Sequence, residues 1–343
     1  MTRYVNKLSQ GATACSTAVA TAHPSLAGVA VRFPPHRCTQ QEAISALTNF
    51  ETRPSRFSGL TEASDAYLEI ALDLGERALL AALDQAQVKP SELDILFSTT
   101  VAGPAVRRLP ARLARRVGLR ADVKRIPLFG SGCASGVAHV HDHLCAFPDQ
   151  VAAVLAVELC SLTIQRQHNS GTKLVTTSLL GDGAAAVIAK GANRTGDGRS
   201  GPRVLATHSR IHPGIDEVKS WKIGGDGFRS ALSGDVAAII DKYLGDDVRA
   251  FLANHGLAPR EVATWVCHPG GARVIEAVEK ALQLPGNALD RTRKSLRDNG
   301  NLASVSLLDV LRAHLADPPP SGSIGLMIAI GPAFCSELAL LAW

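Results

Sequence analysis

Three observations predict an α/β fold built from two pseudo-duplicated halves. Short apolar runs are bounded by Gly and Pro, helical segments alternate with them, and the whole pattern occurs twice. "DQAQVKPSELDILFSTT" (84–100) and "ANHGLAPREVATWVCHP" (253–269) align at an offset of 169 residues, with Pro90 on Pro259, Glu92 on Glu261 and Leu96 on Trp265. The same offset carries Ala134-Ser135 onto Ala303-Ser304, so "GCASGVAHVHDHL" overlays "NLASVSLLDVLRAHL". A period of about half the chain is too long for a solenoid and suits a duplicated domain.

Each half reads as helix, buried strand, loop, Ala-Ser-led helix and buried strand. The first half spans 1–190 and the second 204–343, and the Gly-, Arg- and Asp-rich stretch 191–203 connects them. The chain opens on a loose arm that only mimics a signal peptide, since Asn6, Lys7, Gln10, Gly11 and Thr13 interrupt its apolar stretch. A strand, "LAGVAVRF", follows. "VAAVLAVEL" (151–159) meets "IGLMIAIG" (324–331) after two extra residues. "LLGDGAAAVIAKG" is a tight turn feeding an Ala- and Val-rich strand; without a following Gly-Lys-Ser/Thr it is a structural turn rather than a phosphate loop.

Of the 343 residues, 46% are hydrophobic, enough to bury a large core. The 36 Lys and Arg against 31 Asp and Glu leave +5 without an aromatic-interleaved basic stripe, which argues against nucleic acid and leaves room for a CoA phosphate or another small anion. No run approaches the ~18 apolar residues of a membrane span. Seven cysteines without a CxxC pair suggest neither a disulfide framework nor a zinc knuckle, and most are expected to be core residues in a reducing, cytoplasmic setting.

Cys133 differs from the others. It stands where a loop turns into the first turn of a helix, whose free N–H groups favour a thiolate, and Gly132 and Gly136 leave space for a substrate. Taken alone it is equally an inert buried cysteine. The duplicate half places His268 at the end of a buried strand and Asn301 at the start of the equivalent helix. A nucleophilic Cys needs a base or ion-pair partner and a donor for a developing oxyanion, and these residue types supply both. His139 and His143, one helical turn apart around Asp142, lack a third ligand at metal spacing and read as a polar helix face; no metal site is assigned. Cys160 and Cys267 read as packed core thiols.

"GCASG", "ELCSLT", "GDGAAAVI", "WVCHPGG", "GNLAS" and "GPAFCSE" resemble, in order and spacing, the landmarks of type III polyketide synthases, the chalcone synthase superfamily of the thiolase fold. The similarity runs from about residue 60 to the C-terminus. "ELCSLTIQR", "GFRSALSGDV" and "FCSELALL" resemble the bacterial alkylresorcinol and alkylpyrone synthases in particular. The resemblance implies αβαβα layering, a homodimer, CoA thioesters as substrates and no metal or redox cofactor. It makes Cys133 the nucleophile of a Cys-His-Asn site with His268 and Asn301, and Phe228 the second of two gating phenylalanines, the first being absent near Pro202.

Its implied chemistry is iterative decarboxylative condensation of a fatty acyl-CoA starter with malonyl-CoA, closed to a resorcinol or pyrone. Single condensation by a ketoacyl synthase III-like enzyme is the alternative, although that class carries its histidine in a different setting from "HPGG". A condensing-enzyme-like lipid-binding or dimer partner without activity is the other. Two departures stand out. The link "ETRPSRFS" is shorter than in relatives and leaves Arg53 and Arg56 as candidate CoA contacts. In "AIGPAF", Gly331, Pro332 and Ala333 replace a glycine-richer chamber loop, where an alanine held at positive φ costs about 1 kcal/mol.

Overall fold

The computed structural model describes residues 23–48, 60–101, 109–129, 135–163, 178–194, 201–212, 219–224, 227–232, 236–330 and 335–343. Strand β1 (Ser25–Arg32) begins the described chain and runs antiparallel to β5 (Asp182–Lys190). Beside β5 lie β4 (Val151–Leu159), β2 (Ile95–Thr100) and β3 (Lys124–Phe129), giving a first sheet ordered β3-β2-β4-β5-β1. The second is ordered β6 (Arg203–Ile211), β11 (Cys335–Ala342), β10 (Ile324–Ile330), β9 (Val262–Cys267). The two join at one corner into a single nine-stranded order, where Ser25 pairs with Arg203, Leu26 N–H donates to the Pro202 carbonyl and Val204 N–H to that of Pro24. Strands β7 (Lys219–Gly224) and β8 (Gly227–Leu232) form a separate hairpin.

Helix α1 (Gln40–Thr48) is short, and its Glu42 carboxylate accepts from the Thr39 N–H and hydroxyl. This reciprocal cap starts the helix. Helix α2 (Leu60–Gln85) carries Tyr67, Leu68, Ala71, Leu74, Ala78, Leu79, Ala82 and Leu83 on one stripe at three- and four-residue spacing, and with α3 (Leu109–Val117) it covers the outer face of the first sheet. Helices α5 (Val236–Asn254) and α6 (Ala272–Leu282) cover the outer face of the second, and α7 (Asp290–Asn299) follows.

Between the sheets lie α4 (Ser135–Ala146) and α8 (Ser304–Ala316). Val137, Val140 and Leu144 of α4 and Val305, Leu308 and Leu311 of α8 share one core with Val154 and Val187 of the first sheet and Met327 and Ala339 of the second. The result is the five-layer αβαβα arrangement. No helix of the described residues is long and apolar enough to cross a membrane.

The duplication is visible residue by residue. The 3-10 turns Pro90–Glu92 and Pro259–Glu261 are 169 residues apart, as are the first residues of α4 and α8. One expectation needs correcting. Ile95 pairs with Ala152, whereas its counterpart Thr264 pairs with Gly325, so the offset has grown to 173 by the next strand and the second half carries four extra residues rather than two. They lie in the exposed turn around "DPPPSGS", where a longer connection disturbs no packing.

Among the five cysteines the structure describes, Cys160 and Cys267 are buried as expected, but Cys38 and Cys145 are exposed and Cys335 is half-buried. The general expectation of core cysteines fails for Cys38, which precedes α1, for Cys145 near the end of α4, and for Cys335 at the start of β11.

Candidate active site

The buried apolar run "VATWVC" makes β9 an interior strand, and its ladder continues one residue beyond its end, where the His268 N–H donates to the Ile328 carbonyl at 3.0 Å. This fixes the backbone of His268 against β10, with its side chain buried. The chain then turns tightly, the Gly270 N–H closing on the His268 carbonyl at 3.0 Å.

Asn301 comes to the same turn from α7. Its Nδ2 donates to the Gly270 carbonyl at 3.2 Å and its Oδ1 accepts the Ala303 N–H at 2.9 Å. The side chain therefore bridges the His268 turn and the start of α8, and an amide has a second N–H to offer a ligand. Its backbone is held as firmly: Asn301 N–H donates to Leu179 at 2.6 Å and Gly181 N–H to Asn301 at 3.0 Å. A Cβ on Gly181 would stand 2.3 Å from the Asn299 carbonyl, so only glycine lets this strand of backbone approach. Ala303 has φ 49° and ψ −122°, a conformation L-residues rarely adopt. Such strain is concentrated where surrounding contacts dictate a side-chain position.

Those contacts come partly from a residue the sequence reading missed. Glu158, at the end of β4, is fully buried. Its carboxylate accepts the Val101 N–H at 3.0 Å, the Thr100 hydroxyl at 3.1 Å and the hydroxyl of Ser304, the first residue of α8. It thereby ties the first sheet to the helix that Asn301 precedes. The burial that makes Glu158 need these donors also acts on Tyr67, whose hydroxyl donates to the Val157 carbonyl at 3.1 Å and is held well above the ordinary phenol range, first by burial and then by the neighbouring carboxylate. The signal in the sequence was a lone acid in the otherwise apolar "VAAVLAVEL".

We expect Glu158→Ala to destabilise the fold by about 3–5 kcal/mol, because it leaves three buried donors without an acceptor. Glu158→Gln should cost less. Urea unfolding midpoints at unchanged slope are the check, and a midpoint within error of the parent for the alanine variant would contradict it.

The other candidates divide as follows. Cys133, Gly331, Pro332, Ala333, Arg53 and Arg56 lie outside the described residues. Phe228 lies in β8 opposite Ile223 of β7. Gly136 serves packing rather than substrate clearance: a Cβ there would meet the Val154 side chain at 2.7 Å, so this glycine seats α4 on β4.

Cys267 is wholly buried and its thiol is pushed up to about 12, by burial and then by Glu279, which makes it a poor nucleophile. His139 and His143 stand beside Phe97, at ring separations of 6.3 and 6.1 Å, and His143 pairs with Gln150 at 2.8 Å. Among the described residues no His, Cys, Asp and Glu group has metal-binding geometry. The Gly-Asp-Gly turn is structural in the described geometry, since Asp182 accepts the Ser161 N–H at 2.8 Å and its hydroxyl at 2.5 Å. A cavity of 850 Å³ opens at the other end of β9, around Ala263 and Trp265, and is not part of the His268 site.

The structure thus sets a buried histidine and an amide donor on adjoining turns of a duplicated five-layer fold. Residues 44–220 match the family described as FAE1/type III polyketide synthase-like protein, and residues 204–342 match the chalcone and stilbene synthases, C-terminal domain. The chain is 40% identical to a 1,3,6,8-tetrahydroxynaphthalene synthase of Streptomyces peucetius subsp. caesius, covering 93% of each chain. It is 32% identical to a 3,5-dihydroxyphenylacetyl-CoA synthase of Amycolatopsis orientalis, covering 81% of this chain and 76% of that one. The crystal structure of a 1,3,6,8-tetrahydroxynaphthalene synthase from Streptomyces coelicolor A3(2) shares the fold, with a TM-score of 0.85 and 24% identity over 93% of this chain and 99% of that chain. The chain belongs to the type III polyketide synthase family.

Proposed function

We propose that the protein condenses malonyl-CoA units iteratively and closes the chain to a polyhydroxylated aromatic, using malonyl-CoA as both starter and extender. The observation that carries this reading is the chemistry of the relatives' products. A tetrahydroxynaphthalene has ten carbons and a dihydroxyphenylacetyl group has eight, each a whole number of two-carbon units with no alkyl chain left over. The stretches "ELCSLTIQR", "GFRSALSGDV" and "FCSELALL" favour a second reading, a fatty acyl starter giving an alkylresorcinol or alkylpyrone.

In either case the steps are the same. The Cys133 thiolate, ion-paired with His268, attacks the starter thioester carbonyl and expels CoA thiolate. Malonyl-CoA then loses CO₂, and the electron pair left behind is held as an enolate whose oxygen accepts from His268 and Asn301. The enolate carbon attacks the Cys133 thioester and displaces the thiolate, which reloads for the next cycle. Burial of His268 strengthens its interaction with developing charge. Arg53 and Arg56 are proposed CoA phosphate contacts, and Phe228, Gly331, Pro332 and Ala333 are the proposed gate and chamber residues.

The proposed homodimer rests on β3, an edge strand whose residues other than the half-buried Leu128 are exposed, with Ile126 and Phe129 as large apolar side chains at the surface and the exposed Phe147 just after α4. Such an edge invites pairing with a second copy.

The test supplies malonyl-CoA alone, and malonyl-CoA with a long-chain acyl-CoA, and follows CoA release and product mass. Aromatic product from malonyl-CoA alone supports the first reading, and product only with acyl-CoA supports the second. No CoA release under either condition would contradict both. Sedimentation of the same sample at the mass of one 36.0 kDa chain would contradict the dimer.

A further inference from the structure

A carboxylate taken out of water needs partners, and Asp247 of α5, only 2% exposed, has three. Arg210 donates to Oδ1 at 2.9 Å, while the Ser336 hydroxyl donates to Oδ2 at 2.9 Å and His212 Nε2 meets it at 2.8 Å. His212 Nε2 also lies 3.2 Å from the Ser336 hydroxyl, and its ring stacks on Tyr243 at 4.5 Å. Asp247, His212 and Ser336 are buried, and Arg210 alone reaches solvent.

The strand register places this cluster. Cys267 of β9 lies opposite Ile328 of β10, Ile330 opposite Ser336 of β11, and Ser336 opposite Arg210 of β6. Ser336 and Arg210 are therefore one residue beyond the level of His268. They stand two and three strands across from it, roughly 10–15 Å away at the usual strand spacing. Three elements converge here: the end of β6, the start of β11 directly after residues 331–334, and α5, which follows the hairpin carrying Phe228. Apolar side chains of similar volume would stabilise such a junction as well as a buried ionic cluster does. What directional hydrogen bonds add is one fixed relative placement.

We propose that Asp247 is a positioning residue which, through His212, Ser336 and Arg210, clamps these three elements beside the condensing site and sets how far the chain grows before ring closure. The proposal rests on the condensing function argued above. The enolate and thioester chemistry does not pass through the cluster, so the rate of condensation and the fate of the chain should separate when it is disturbed.

Asp247→Asn, Ser336→Ala and Arg210→Gln, assayed with malonyl-CoA, should release CoA at rates within about threefold of the parent. The ratio of prematurely released lactones to the final aromatic should rise by at least about fivefold, the effect of a change in partition near one kilocalorie per mole. Arg210→Lys, which keeps the ion pair, should retain the parent ratio. An unchanged ratio in Ser336→Ala and Arg210→Gln, with only the unfolding temperature lowered, would overturn the proposal. Those two variants leave the Asp247–His212 pair in place and decide the matter even where Asp247→Asn fails to fold. A parent enzyme that releases no CoA contradicts the function itself, an outcome distinct from an active enzyme with an indifferent product ratio.

Discussion

His268→Ala is expected to lower malonyl-CoA decarboxylation by about 10²–10³-fold or more, because it removes a donor to the enolate oxygen. The loss should appear in kcat with little change in KM, the mark of an interaction made in the transition state. Asn301→Ala is expected to lose a similar factor in decarboxylation yet still permit acylation of Cys133, since the thiolate depends on the histidine. Unfolding midpoints must be measured alongside, because the Asn301 side chain also bridges Gly270 and Ala303. Decarboxylation at the parent rate in either variant would remove that residue from the site.

Cys133→Ala is the second large effect expected. Without a thiol no covalent intermediate forms, and condensation should fall below detection. Decarboxylation should persist in part, because the His268 and Asn301 donors are untouched. The two variants thus split the cycle in opposite ways. Cys267→Ala should retain the chemistry, since that thiol is buried and pushed up to about 12, and a dead Cys267→Ala of parent stability would contradict the assignment.

How much of this was legible in the sequence follows from which signals are local. Pro90 and Pro259 announced the duplicated 3-10 turns, and Ser135 and Ser304 the matching helix starts, because turn chemistry and helix entry are written in a few adjacent residues. His268 and Asn301 could be singled out because the duplication put them at strand-to-helix junctions. That Asn301 reaches the Gly270 carbonyl is a tertiary fact across 31 residues, and no spacing rule shows it.

Glu158 was passed over because periodicity weighs the eight apolar residues of the run and cannot show that the Thr100 and Ser304 hydroxyls wait for its single acid. Gly136 was misassigned for a related reason: a glycine near a reactive residue suggests room for substrate, and only the fold reveals Val154 against it. Asp247, His212 and Ser336 come from three distant segments, and their convergence is set by the register of β6 and β11. The four extra residues before β10 are legible in the sequence itself, since Val151 and Ile324 stand 173 residues apart against the offset of 169.

The central claim is that Cys133, His268 and Asn301 work as one condensing site, and peptide mass mapping after incubation with malonyl-CoA tests it most directly. The account predicts successive ketide additions on the peptide containing Cys133 in the parent protein. It predicts a loaded starter without extension in Asn301→Ala when an acyl-CoA is also supplied. Adducts on the exposed Cys38 or Cys145 in place of Cys133, or an Asn301→Ala variant that extends its chain as the parent does, would contradict it.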